Sequence, residues 1–404
     1  MNTRRQRISR ARIGATWAAL ALMVVPVLAL GGAWPAQARG LTVLYNFAGS
    51  SDGGDPYASL IRDSAGNLYG TADYGGNAFA GAVFKVAPNG TETVLYSFSG
   101  GADGAQPFSA LERDKGGNLY GTTTMGGSAN AGVVFKLDPG GTESVLHNFI
   151  GGTDGTTPTG GLLEDKAGNF YGTTSQGGTS NAGVLFKISA KGKYSILHTF
   201  TGAANDGKYP TYTSLLMDSR GTLYGVTEEG GAANGGILYK LSKAGKLTIL
   251  HSFMGGATDG CNVLGTPFID GNGNFYGTTS SCGTSSLGTV WTVSADGNET
   301  VLHSFAGGIT DGEYPLAGVI VDASGNIYGN TETGGASNFG TVYGISPDGT
   351  FTLVHSFDGT DGKYPYGSFV RTAKGTLFGT TQNGGAIGYG TVWKMTKVST
   401  RQAE

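Results

Sequence analysis

Metal-seeking and redox-active side chains are scarce in this chain: its 404 residues include two cysteines and five histidines. Two cysteines are too few for a multi-disulfide scaffold or a cysteine-rich zinc domain. Charged residues make up only 14%, against about a quarter in an average soluble protein. There is no basic surplus, so nucleic acid and anionic membrane surfaces find no electrostatic footprint. Only one long apolar run occurs, and it lies near the N-terminus.

That run reads as a targeting signal. Arg4, Arg5, Arg7, Arg10 and Arg12 precede an apolar stretch from about Ile13 to Leu30, and Ala36-Gln37-Ala38 forms a small-x-small cleavage pattern. Pro26 within the stretch argues against a retained anchor. Residues 1–38 are therefore expected to be a signal peptide, leaving a mature chain from Arg39. Their removal takes five arginines and no acid, which leaves 21 basic against 29 acidic groups, a net charge of −8. The expected product is secreted or periplasmic and monomeric, with no membrane span after signal removal and no lipid-accepting cysteine.

What is abundant is glycine, with 74 copies. It does not recur every third residue, so a collagen-like chain is excluded. Aromatic and branched residues recur in phase instead. A Tyr-Gly pair marks the phase at Tyr69-Gly70, Tyr120-Gly121, Tyr171-Gly172, Tyr224-Gly225, Tyr276-Gly277 and Tyr328-Gly329, and Phe378-Gly379 ends the series. The steps are 51, 51, 53, 52, 52 and 50 residues. A period near fifty, built from short strands, predicts a propeller.

Each unit reads as four strands. In the second, Ala110–Arg113, Asn118–Thr123, Val133–Leu137 and Glu143–Phe149 alternate with turns and a glycine-rich loop. An Asp-x-x-Gly turn recurs at Asp63, Asp165, Asp218, Asp270 and Asp322, where the acid accepts a backbone N–H and glycine supplies positive φ. The third strand carries one aromatic per unit: Phe84, Phe135, Phe186, Tyr239, Trp291, Tyr343 and Trp393. These are expected as core wedges between blades. The segment Thr42–Phe47 is a fourth strand with no preceding three, while the last unit, 368–395, lacks a fourth. The expected fold is all-β: a seven-bladed β-propeller of four-stranded antiparallel blades, the last closed by the N-terminal strand. It should occupy 39–396 as one domain, with 397–404 a short tail.

Asp-x-x-Gly-Asn-Leu-Tyr-Gly-Thr-Thr, followed by Gly-Gly, Gly-x-Val-Phe-Lys and Val-Leu-His-Ser-Phe, resembles the GloVer-type tandem repeat of exported bacterial proteins with varied surface anchors. The resemblance covers about residues 41–396. It implies a propeller and carries no family-wide catalytic residues. The Asp-x-x-Gly-Asn-x-Tyr stretch is also similar to turns in NHL-repeat and streptogramin-lyase-like propellers.

Asp-Gly-x-x-Pro recurs in the loop entering each innermost strand, with Val263 replacing one proline, and is expected to be turn-making. Function is better sought where the units differ. Asp73, Glu228, Glu229 and Glu332 are acids in the second-to-third-strand loops, and Tyr57, Phe108, Tyr212 and Tyr366 lie just past the prolines. Acids beside aromatic faces suit a sugar or polar polymer, and the bland alternative is a solvated rim with no ligand. The histidines, His147, His198, His251, His303 and His355, share one outer-strand position, so they cannot converge on one ion. No metal site, no Ser-His-acid triad and no cofactor are expected. Cys261 and Cys282 fall on one face of the fifth unit, where a disulfide is expected. The leading functional expectation is a non-catalytic exported propeller that binds a glycan or a surface protein. The alternative is a secreted polysaccharide lyase or glycoside hydrolase using loop carboxylates, and a structural surface-layer component is a third reading.

Overall fold

A computed structural model describes residues 40–396. The signal peptide and the tail expected from the sequence lie outside the described residues. Within them there is no α-helix, and one short 3-10 turn, Gly152–Asp154, interrupts an otherwise all-β chain. Among the described residues, no helix is long and apolar enough to cross a membrane.

Seven four-stranded antiparallel sheets form the blades. The first blade comprises Ile61–Arg62, Leu68–Ala72, Ala82–Val86 and Glu92–Ser97. The next five repeat this over 112–148, 163–199, 216–252, 260–304 and 320–356. The seventh joins Val370–Arg371, Leu377–Thr381 and Thr391–Met395 to the N-terminal strand Leu41–Asn46. Leu41 pairs with Met395 and Asn46 with Thr391, with an irregularity between Val43 and Tyr45. The outer strands of the other blades carry a shift at the equivalent place, so the first strand is a true replacement for the missing one.

The middle strands are buried on both faces, as between neighbouring blades. All seven third-strand aromatics are fully buried. The bare glycine of each Tyr-Gly pair lets the ring lie across the backbone. A Cβ at Gly121 would stand 2.7 Å from Phe135 Cζ, and one at Gly172 2.6 Å from Phe186 Cζ. A phenylalanine just after each outer strand then packs on the next blade's ring, edge-on in five cases, as Phe98 does on Phe135 at 5.2 Å and Phe149 on Phe186 at 5.4 Å, and tilted against Trp291 and Trp393.

The Asp-x-x-Gly turns are held by their own side chains. Asp63 accepts from Asn67 N at 2.8 Å, from Asn67 Nδ2 at 2.8 Å and from Tyr69 Oη at 3.0 Å. Burial alone would raise this carboxyl, but the hydrogen bonds outweigh it and hold it below the ordinary range. One expectation needs correction. In six blades the innermost strand is two residues long, Glu112–Arg113 in the second blade rather than Ala110–Arg113, and only the fifth blade's, Gly260–Ile269, is longer. Near the axis the backbone turns from its own sheet toward the adjacent blade: Thr71 Oγ1 donates to Ser109 O at 3.0 Å, and Thr122 Oγ1 to Pro158 O at 3.0 Å.

Candidate functional site

The entry loops build the axial face. In every blade the residue before the proline position is left-handed, at Asp55, Gln106, Thr157, Tyr209, Asn262, Tyr314 and Tyr364, with φ between 52° and 58°. This conformation costs a non-glycine residue about 1–2 kcal/mol. It is offset by bonds between blades. The N–H of each of these residues donates to a carbonyl of the preceding blade at 2.9–3.1 Å, for example Gln106 to Ala80 and Tyr209 to Ala182. The proline then packs on a glycine of that blade. A Cβ at Gly132 would meet Pro158 Cδ at 2.8 Å. Asp-Gly-x-x-Pro is therefore an inter-blade clasp.

On this regular frame four aromatics meet at the axis. Tyr57 and Phe108 stack with ring centres 4.1 Å apart. Tyr366 lies 4.9 Å from Tyr57, and Tyr212 lies 5.3 Å from Phe108. Beneath and between them, small residues such as Ser59, Gly161, Ser214 and Gly318 line a cavity of about 70 Å³ with contributions from all seven blades. Tyr212 reaches the group by a local break in the repeat. Thirteen positions separate the proline from the Tyr-Gly aromatic in the other proline-bearing units, but fourteen do so from Pro210 to Tyr224. Tyr212 itself has φ 53°, a rare conformation for a bulky residue, and stays 46% exposed.

The rim is formed by one residue per blade, four positions after the Tyr-Gly aromatic: Asp73, Thr124, Ser175, Glu228, Ser280, Glu332 and Gln382. The three hydroxyls bond to the entry loop of their own blade, at Gln106 O, Thr157 O and Asn262 O. The longer side chains instead reach the aromatics. Tyr366 Oη donates to Glu332 Oε1 at 2.6 Å, and Gln382 Nε2 donates to Tyr57 Oη. Asp55 accepts from Asn383 Nδ2 at 3.0 Å.

The electrostatics follow from this convergence. Burial, then the charge of Asp55, pushes the Asp73 carboxyl up to about 6, and its Oδ1 is buried without a hydrogen-bond partner. Burial, then Asp73 and Asp55, pushes the Tyr57 phenol up to about 12. Tyr212 is raised by burial and then by Glu228 and Asp73. Glu228 is itself raised, chiefly by burial.

Seven of the eight residues singled out from the sequence thus belong to one neighbourhood. Glu229 does not. It forms an ion pair with Lys208 at 2.8 Å on the short ladder Gly207–Lys208 with Glu229–Gly230, so it points away from Glu228. Sequence reasoning missed Asp55, Gln382 and Asn383. Gln382 was findable, because it shares the register of Asp73, Glu228 and Glu332. Asp55 was masked by its place in a clasp that every blade shares. The Cys261–Cys282 disulfide is formed, with Cα atoms 5.4 Å apart, in the same loops of the fifth blade.

The Gloeobacter/Verrucomicrobia repeat matches residues 34–234 and 211–403. Among curated proteins, none matches this chain. Among solved structures, virginiamycin B lyase from Staphylococcus aureus is similar at TM-score 0.56 and 13% identity, over 89% of this chain and 99% of that one. The extracellular domain of a candidate one component system from B. thetaiotaomicron is similar at TM-score 0.56 and 13% identity, over 90% of this chain but 43% of its own. At such identities the likeness shows the fold and nothing of the chemistry. The seven units and the two overlapping matches together place the chain in the Gloeobacter/Verrucomicrobia repeat family.

Proposed function

We propose that the axial face binds a small extracellular ligand, foremost a glycan, and does not turn it over. The observation that carries this reading is where the sevenfold pattern breaks. The inserted residue near Tyr212, the aromatic group and the unpaired Asp73 carboxyl all gather at one end of the axis. A sugar ring would sit at the mouth of the axial cavity. The ring would rest on the floor of Tyr57, Phe108, Tyr212 and Tyr366, with its apolar face on the aromatics. Asp55, Asp73, Glu228 and Glu332 would accept its hydroxyls. The disulfide and the likeness to an extracellular domain support an exported protein.

The test is a polysaccharide and oligosaccharide panel with the purified mature protein, scored for binding and for product release. Binding should occur without release and weaken at least about tenfold in Phe108→Ala or Tyr212→Ala, the loss expected for an aromatic anchor. Binding that survives both substitutions would reject the site. One observation favours a second reading. A carboxyl held near 6, as Asp73 is, has the protonation a general acid needs. Release of new reducing or unsaturated ends, abolished by Asp73→Asn, would replace binding with glycoside cleavage.

A further inference from the structure

A second kind of site lies at the perimeter, away from the axis. At each blade junction a Tyr or His of one outer strand meets the Asp of the following Asp-Gly turn. Tyr45 donates to Asp52 at 2.8 Å and Tyr96 to Asp103 at 2.9 Å. His147, His198, His303 and His355 meet Asp154, Asp206, Asp311 and Asp361 at 3.2, 3.0, 3.1 and 2.6 Å. At five junctions the first residue of the next outer strand completes the group. Tyr194 and Phe351 stack on His147 and His303 there, while Glu92 and Glu143 face the two Tyr–Asp pairs.

Only the junction between the fourth and fifth blades brings a His, an Asp and a Glu together among the described residues: His251, Asp259 and Glu299. Its geometry is also unlike the rest. His251 Nε2 stands 3.7 Å from Asp259 Oδ2, beyond hydrogen-bond range. Two ligands bonded at about 2.1 Å to one tetrahedral ion stand about 3.4 Å apart. Ligand atoms of all three residues lie within 4.8 Å of one another. Among the junction histidines, only His251 Nε2 is buried with no hydrogen-bond partner, and Glu299 Oε1 is unpartnered too, as Glu92 Oε1 and Glu143 Oε1 are at the Tyr–Asp junctions. Such atoms are costly in a protein interior unless something satisfies them. Asp259 is already aimed, since Met254 N and Gly260 N each donate to it at 2.7 Å. The Cys261–Cys282 disulfide fastens the same loop.

We propose that His251, Asp259 and Glu299 bind one first-row divalent transition-metal ion, such as Zn²⁺, pinning the fourth blade's outer strand to the fifth blade. The cation neutralises both carboxylates and gives the imidazole its missing partner. An imidazole ligand with two carboxylates favours this class over Ca²⁺, which takes six to eight oxygens. The histidines of different blades do not converge. The remaining ligands are acids from the adjoining turn and strand.

Chelator-treated mature protein titrated with Co²⁺ should bind one equivalent and gain visible ligand-field absorption, which Zn²⁺ then displaces. His251→Tyr installs the residue that Tyr45 and Tyr96 supply at other junctions, so it suits the fold. It and Glu299→Gln should each weaken binding at least about tenfold, while His303→Tyr should leave the titration unchanged. Equal affinity in parent, His251→Tyr and Glu299→Gln would overturn the assignment, as would no Co²⁺ uptake by the parent. Displacement of Co²⁺ by equimolar Ca²⁺ would overturn the ion class.

Discussion

At the scale of single residues, the core carries polar atoms that its own symmetry leaves stranded. Phe84, Phe135 and Phe186 fill the wedge position in the first three blades, but Tyr239 and Tyr343 fill it later, and their hydroxyls are buried without partners. Removing such a hydroxyl relieves a desolvation cost of about 1–3 kcal/mol. Tyr239→Phe is therefore expected to raise stability by about 1 kcal/mol, read as a higher urea midpoint with unchanged slope. Asp73 behaves as a pH-dependent liability. Its folded-state value of about 6 lies above the ordinary 3.8. The folded protein thus holds a proton that the unfolded chain releases at lower pH. Stability from this group is complete below about pH 4 and is lost as pH rises through about 6. Asp73→Asn should exceed the parent by about 1–2 kcal/mol near neutral pH, with the gap closing below about pH 4. Melting curves across that range decide it, and a gap that persists in acid would mean the effect is not electrostatic.

At the scale of elements, the sequence spoke clearly wherever a role is repeated. Asp63, Asn67 and Tyr69 could be read as a turn because the same residue types recur unit after unit and the hydrogen bonds among them are local. The short inner strands were not readable, because Ala110 and Leu111 have strand-like character but sit where neighbouring blades compete for the backbone. The site was half legible. Departures from the repeat pointed to Asp73, Glu228, Glu332 and the aromatics, yet adjacent Glu228 and Glu229 differ only in which side of an extended backbone they occupy. The fifth blade offers a test at this scale. Cys282 takes a glycine's place with φ 65°, and its bond to Cys261 closes a segment of sequence separation 21. Reduction should cost about 3 kcal/mol of stability on loop-closure grounds. Denaturation with and without reductant measures this, and Cys261→Ala/Cys282→Ala should reproduce the reduced protein.

At the scale of the whole molecule, the ring is only as good as its joint. Deleting residues 39–48 removes the strand Leu41–Asn46 and leaves Thr391–Met395 as an open edge on the seventh blade. The truncated protein should melt well below the parent and associate in a concentration-dependent way, as unpaired edges do. Sedimentation and calorimetry would show both effects, and equal melting of the two forms would disprove the closure's importance.

The joint also sets a timetable. The strand that a ribosome makes first, Leu41–Asn46, pairs with the strand made last, Thr391–Met395. Six blades have all their strands contiguous in the chain and can form as synthesis proceeds, but the seventh must wait for the far end to return. Such a long-range contact is slow to find. Until it forms, the ring is an open crescent with the unpaired strand Leu41–Asn46 at one tip and the unpaired edge of Thr391–Met395 at the other.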